Sequence, residues 1–462
     1  MRFKITMNNG TRNISKTQRI YRRTVSKVFR DILTKTYPRL DEREHYWPLI
    51  GYLLFPTQVK DEKILLARDT MAELFGYSSI PSHFNSGRMF RGFSEAIQEF
   101  TWSDFSKLEG RARVVETLIW PNEIKKALEL ERKKLFQDEG RVYLINGQPF
   151  SKKKRNEFMK QKKSEASCLI AKTKETQLLL EYMNSVHTNL YANLIRVNGG
   201  RTLDTILNLN SNVGRQWNIF SLIVDNYNQL YKPSENTVRI FPFGEHIASL
   251  MSEVRRALTH GLVEADLRSS QFAIAATLWN IPSVKHFLSQ GGSMWEYLYQ
   301  IGSKDKVSLK KILYSLMFGM HYKGIKAQLE AIGVRYEDFI SLPLIHDLLK
   351  ARNREMNRIK HNGGALTCFG QFLSIDDYDV KSILAQCCQA MELKLLFPIV
   401  ELAIENRDRK HGFTIALWQH DGFTLHTKSS QQRKYWIEYL SNAVLSSAKA
   451  NGIITQLCWK EI

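Results

Sequence analysis

Two aspartates at the ends of apolar runs are the residues whose types and spacing most directly imply chemistry. Asp421 lies in Trp418-Gln419-His420-Asp421-Gly422-Phe423, between the alternating apolar runs Phe413–Trp418 and Phe423–His426. That spacing predicts a carboxylate at the tip of a β-hairpin, with the Asp-Gly pair in the tight turn. Asp266 closes Leu262-Val263-Glu264-Ala265-Asp266, which reads as a buried strand, and Ser269 or Ser270 then caps a helix carrying Phe272, Ala275, Ala276 and Trp279. Two strand-borne carboxylates that meet in space can hold divalent metals for phosphoryl transfer. Between them, Lys306, Lys310, Tyr314 and Phe318-Gly319 recur at intervals of four, so on a helix they form one stripe of two cations, two rings and a glycine. Cations at one end suit a triphosphate, and rings further along suit a base and its sugar. Alone, such a stripe is more often an amphipathic helix packing Leu313, Tyr314 and Phe318 into the core; the flanking aspartates shift the weight toward chemistry.

A chain of 462 residues can bury a large core in two or three domains, or in one domain with large insertions. Its 66 Lys and Arg against 46 Asp and Glu leave a formal charge of +20, while 43% hydrophobic and 11% aromatic content argue against disorder. A folded basic protein calls for an anionic partner. Nucleic acid is favoured over a membrane, because the apolar stretch Leu395–Ile404 is short and flanked by charge. Lys152, Lys153, Lys154, Arg155, Lys160, Lys162 and Lys163 face only Glu157 in one crowded stretch, which reads as a solvated face, a linker or a contact with a nucleic-acid backbone. A helical pattern through Leu178, Leu179, Leu180 and Met183 follows it, and we place a domain boundary there. The five cysteines, Cys168, Cys368, Cys387, Cys388 and Cys458, form no CxxC pair, which points to a reducing compartment and no structural zinc. The first thirty residues hold nine Arg or Lys and no acid. A mitochondrial transit peptide has that composition, and so does a basic arm lying on phosphates. No secretory signal is legible, so a cytoplasmic setting in a bacterium, phage or plasmid is expected, with the mitochondrion as the alternative.

Taken in order, these segments resemble the family A DNA polymerases and their relatives, the phage and mitochondrial single-subunit RNA polymerases. Motif A of that family, a strand-end Asp followed by a helix, is similar to Asp266-Leu267-Arg268-Ser269-Ser270-Gln271-Phe272-Ala273-Ile274-Ala275-Ala276. Motif B, a fingers helix with basic, basic, aromatic and aromatic-Gly positions, resembles Lys306, Lys310, Tyr314, Phe318 and Gly319, and motif C, a His-Asp turn between strands, resembles His420-Asp421. Thr237-Val238-Arg239-Ile240-Phe241 and Arg255-Arg256-Ala257-Leu258 are similar to basic segments preceding motif A that touch the primer–template. Gly364–Gly370 and the helix bearing Gln386, Gln389 and Glu392 are similar to the hairpin and palm helix before motif C. The resemblance covers residues 235–462.

It implies an α+β right-hand fold: a basic N-terminal domain over 1–165, thumb-like helices over 166–235, palm over 236–285 and 364–462, and fingers over 286–363. It further implies two Mg²⁺ ions, or Mn²⁺ in their place, on Asp266, Asp421 and the carbonyl of Leu267. Lys306 and Lys310 would hold the triphosphate, Tyr314 and Phe318 would stack near the nascent pair, and Gln271 would border the sugar. Arg239, Arg255, Arg256, Gln389 and His420 would contact nucleic acid. The partners are then a DNA primer–template and nucleoside triphosphates, with no membrane and with room for an accessory replication protein. No exonuclease carboxylate set is legible in residues 1–235, so proofreading is not expected.

Three departures bear on the chemistry. Gly422 stands where the DNA polymerases carry Glu after His-Asp. Gln271 stands where they carry a Glu that excludes a ribose 2′-hydroxyl and where the RNA polymerases carry Gly, which leans toward dNTPs. Phe318 replaces the usual Tyr, removing a hydroxyl from the same pocket. The alternatives are a single-subunit RNA polymerase or primase, a catalytically inactive nucleic-acid-binding protein, and a metal-dependent phosphohydrolase using His346-Asp347. The last needs further helical His and Asp ligands, whereas His420-Asp421 sits in a strand pattern; His346 reads as a polar residue near a helix start after Pro343.

Overall fold

The computed structural model describes residues 27–43, 46–54, 59–60, 63–67, 86–97, 100–106, 112–118, 120–137, 160–161, 163–210, 212–225, 227–302, 305–407 and 409–462. The basic residues before 27 and the run Lys152–Arg155 lie outside them. The chain divides into two compact units, one of Met1–Ser164, Tyr191–Gln229 and Gly244–His260, the other of Glu165–Leu190, Leu230–Phe243 and Gly261–Ile462. The helical segment expected as a thumb over 166–235 is therefore shared between two units.

The first unit contains a four-stranded antiparallel sheet in the order Val59–Lys60, Lys63–Ala67, Ala112–Leu118, Phe100–Ser106. Its helices include Lys27–Thr36 and Ser86–Ile97, whose inward rings Phe29, Phe90 and Phe93 are fully buried. No local motif in the sequence announces this sheet. The side chain of Asn198 donates to the carbonyls of Leu258 and His260 and so ties off the end of the helix Ser252–Leu258.

The second unit is built on a helix, α1 (Lys174–Ser185), a two-stranded ribbon, β1 (Tyr231–Pro233) with β2 (Ile240–Pro242), and a four-stranded sheet. The sheet begins with β3 (Val263–Leu267) and is followed by α2 (Ser270–Leu278), α3 (Lys306–Met317) and α4 (Pro343–His361). A hairpin, β4 (Gly364–Leu366) with β5 (Phe372–Ser374), leads into α5 (Val380–Glu405), then β6 (Thr414–Trp418), β7 (Gly422–His426), α6 (Ser430–Ala450) and β8 (Leu457–Glu461). The sheet order is β6-β7-β3-β8, all antiparallel, so the strand carrying Asp266 is an inner one.

The alternation expected of the hairpin strands is muted. Ile415–Trp418 and Gly422–Leu425 are buried throughout, because both faces are covered. A register shift between Ile415 and Leu417 bends the outer strand. Its outer edge does not expose all its amides: the hydroxyl of Tyr182 accepts from Ile415 N–H at 3.1 Å, and that of Tyr231 accepts from Trp418 N–H at 3.0 Å. Burial pushes the Tyr182 phenol up to about 12, so its hydroxyl keeps its proton.

Helix α2 is buried on nearly every side, from Ser270 to Ala276, which explains its run of small apolar residues. It packs against α5, which also packs against α6, α4 and α1. At 26 residues, α5 is longer than the Leu395–Ile404 stretch singled out above. By length and composition it is apolar enough to cross a membrane, and 67% of its most apolar window is buried within the fold.

Helix α3 starts at Asp305, whose carboxylate accepts from the N–H groups of Val307 and Ser308 at 3.1 Å. It stops in a Schellman turn: Met320 N–H donates to Ser315 O at 2.8 Å, Gly319 N–H to Leu316 O at 3.2 Å, and Gly319 takes φ +81°. Phe318 and Gly319 are thus the end of the helix rather than part of it. Two arginines of α4 bind helix ends. Arg352 Nη1 donates to Leu316 O of α3 at 2.6 Å, and Arg354 Nη2 donates to Trp279 O just past α2 at 2.6 Å.

Candidate active site

The pairing of β3 with β7 places Asp421, the residue before β7, next to the strand that carries Asp266. Gly422 lies directly opposite Asp266, and Leu267 N–H donates to Asp421 O at 2.8 Å. Asp266 is exposed although its strand neighbours Ala265 and Leu267 are buried, and Asp421 is half-exposed. Both carboxylates can therefore be reached by a cation.

Gly422 has a steric reason. A Cβ built there would sit far inside contact distance of the Ala265 carbonyl oxygen and of Asp266 Oδ1. Gly422 belongs to the strand, and the left-handed residue of the turn is His420, with φ +69°. The expected Asp-Gly turn is corrected accordingly: the glycine serves a close approach between strands, not the turn conformation. Gly422→Ala is expected to cost about 1–3 kcal/mol in a denaturant titration, and a midpoint equal to that of the wild type would show that the strands yield freely.

The start of α2 also differs from expectation. Ser269 occupies the N-cap position but is left-handed, φ 52°, and makes no capping bond. Ser270 turns its hydroxyl to Glu392 Oε1 at 3.2 Å instead. Glu392, on α5, carries no role of its own in the sequence reading, which names it only as one residue of the palm-like helix. Its carboxylate is 1% exposed and accepts from Gln271 Nε2 at 2.5 Å and from Arg239 Nη2 at 2.5 Å. Burial raises its pKa, and Arg239 opposes that rise. The available signal was a lone acid, Glu392, inside the apolar run Ala390–Ile399.

Gln271 is 4% exposed, and its Oε1 has no hydrogen-bond partner. It is not a free side chain lining a cavity, because its amide is tethered to Glu392. Arg239, 24% exposed, is likewise held by Glu392, and its Nε is unpaired. Gln389 hydrogen-bonds the Thr237 hydroxyl. His420 packs its ring edge-on against Phe241 at 5.0 Å, and its Nδ1 has no partner. Burial, and then Arg239, push His420 down to about 4, so at neutral pH it is an uncharged imidazole.

On α3, Lys306 and Lys310 are exposed, with Lys306 Nζ 5.8 Å from the Trp295 ring centroid and Lys310 Nζ 5.5 Å from that of Tyr314. Burial holds the Tyr314 phenol well above its ordinary range, and the Asp421 and Glu392 carboxylates push it in the same direction. Phe318 is half-buried at the helix end. Arg255 and Arg256 lie on the helix Ser252–Leu258 of the first unit. His346 and Asp347 lie in the first turns of α4, where Asp347 accepts from the Ser283 hydroxyl.

Among the described residues no group of three or more His, Cys, Asp or Glu could hold a metal. The donor set at Asp266 and Asp421 is two carboxylates. This fits Mg²⁺, which commonly takes one or two carboxylates and completes its sphere with water and substrate phosphates.

No protein-family model matches the chain. No curated protein matches it either. Among solved structures the chain is similar to the POL domain of Pol1 from M. smegmatis in complex with DNA primer-template and dNTP, with a TM-score of 0.41 and 12% identity, covering 89% of this chain and 80% of that one.

Proposed function

We propose that the chain is a template-directed nucleotidyltransferase, a family A-like DNA polymerase without proofreading, with palm, fingers and thumb in a right-hand arrangement. The observation that carries this reading is that Asp266, near the end of β3, and Asp421, just before β7, meet where these two strands pair, both open to solvent. Two Mg²⁺ ions held by these carboxylates and the Leu267 carbonyl would acidify a 3′-hydroxyl and neutralise departing pyrophosphate.

The remaining work belongs to side chains. Lys306 and Lys310 stand in the first half of α3, the positive end of the helix dipole, where cations do nothing for the helix itself. A triphosphate accounts for them there: it gains both lysines and the helix N-terminus. Tyr314, kept protonated, supplies a ring and a hydroxyl donor, and Phe318 supplies a ring. Arg239, Gln389 and the neutral His420 face the primer end, and Arg255 and Arg256 contact the nucleic-acid backbone. The net charge of +20 suits a polyanionic partner.

The decisive assay crosses dNTPs or rNTPs with primed and unprimed DNA and RNA templates. Extension of a primed DNA template with dNTPs is expected. A preference for rNTPs on an unprimed template would replace this reading with the single-subunit RNA polymerase or primase.

Sugar choice turns on Gln271. The wild type is expected to prefer dNTPs, with some rNTP use because Phe318 offers no hydroxyl, and Gln271→Gly should raise the rNTP:dNTP ratio of incorporation by about tenfold or more. An unchanged ratio in that variant would remove Gln271 from sugar selection.

A further inference from the structure

We infer that Glu392 is a positioning residue that couples selection of the incoming sugar to recognition of the primer end, by holding Gln271 and Arg239 on one buried carboxylate; this rests on the polymerase reading above. The carboxylate accepts three hydrogen bonds from side chains far away in sequence, Arg239 before β2 and Ser270 and Gln271 at the start of α2. An ionised carboxylate only accepts, so it dictates which way the Gln271 amide points. Nε2 must face Glu392, and Oε1 must face away.

A pair evolved for stability alone would satisfy both partners. Here each partner keeps one buried polar atom unpaired, Gln271 Oε1 and Arg239 Nε, and His420 Nδ1 is unpaired as well. Buried unpaired polar atoms are rare and call for an explanation. Bound substrate supplies one, since neither the acceptor nor the donor has a partner within the protein while Glu392 fixes the two side chains that carry them.

A long glutamine excludes a sugar hydroxyl only if it cannot swing aside. Without Glu392, Gln271 gains rotamer freedom and Arg239 loses its partner, so both selectivities relax together.

The experiment measures the rNTP:dNTP incorporation ratio and extension from matched primers in the full chain, for the wild type, Glu392→Ala and the near-isosteric Glu392→Gln. The ratio does not depend on the fraction of molecules that fold, and Glu392→Gln keeps the shape of the site if alanine unfolds it. Glu392→Ala is expected to raise the ratio and lower matched extension, each by roughly 10-fold to 100-fold, the loss of a buried charge-assisted bond. Glu392→Gln should move both in the same direction by less. Combining Glu392→Ala with Gln271→Gly should raise the ratio no further than Gln271→Gly alone. Active Glu392 variants with the wild-type ratio would overturn the coupling and leave the polymerase reading intact. A wild type unable to extend any primer would overturn that reading and the coupling with it.

Discussion

Asp421→Asn and Asp266→Asn are each expected to cut primer extension by about a thousandfold or more, because metal-held charge stabilisation is worth several kcal/mol at the transition state. The fold should hardly notice. Asp266 is exposed and Asp421 half-exposed, and substitutions at open positions usually stay within about 0.5 kcal/mol. Affinity for primer–template should change by less than about threefold, since it depends on the summed basic surface rather than on two acids. Measuring extension, duplex affinity and melting together separates loss of chemistry from loss of structure. Near-wild-type extension by either variant would end the assignment of these carboxylates to catalysis.

Lys310→Ala carries the next largest expectation. Lys310 is exposed, and its ammonium lies 5.5 Å from the Tyr314 ring centroid, so removing it leaves no buried group unpaired. The Michaelis constant for the nucleotide should rise by roughly 10-fold to 100-fold, the value of a charge-assisted contact to phosphate, while duplex affinity stays level. Lys310 is one cation among 66 Lys and Arg. An unaltered Michaelis constant would make α3 an element of packing alone.

What could be read from sequence was local. The apolar run before Asp266 and the paired runs around Asp421 announce strands, and a four-residue repeat announces α3, because side-chain periodicity is written in neighbouring residues. The turn was misread for a physical reason. Asp-Gly has the chemistry of a tight turn, but the demand on Gly422 comes from the backbone of Ala265, on a strand more than a hundred residues earlier. Ser269 looked like a cap because hydroxyls favour that position, and the left-handed turn there overrides the preference. Glu392 was visible as a residue of the palm-like helix, without a role; that it binds Arg239 and Gln271 depends on tertiary packing that no local pattern records. The sheet of the first unit was illegible for a related reason, since its short strands carry mixed polar and apolar residues with a disturbed register.

The two arginines of α4 give α3 a fulcrum. Arg352 grips the carbonyl of Leu316 at one end of α3, and Arg354, two residues along the same helix, grips the carbonyl of Trp279 beyond α2. The opposite end of α3, with Lys306, is exposed. Lys306 lies ten residues before Leu316 on this helix, a lever arm of about 15 Å. A swing of about 10° about Leu316 would carry Lys306 through roughly 3 Å, estimated from the helix rise, while Phe318 barely moved. The same rigid piece would thus travel at its lysine-bearing tip and stay nearly still at its aromatic heel.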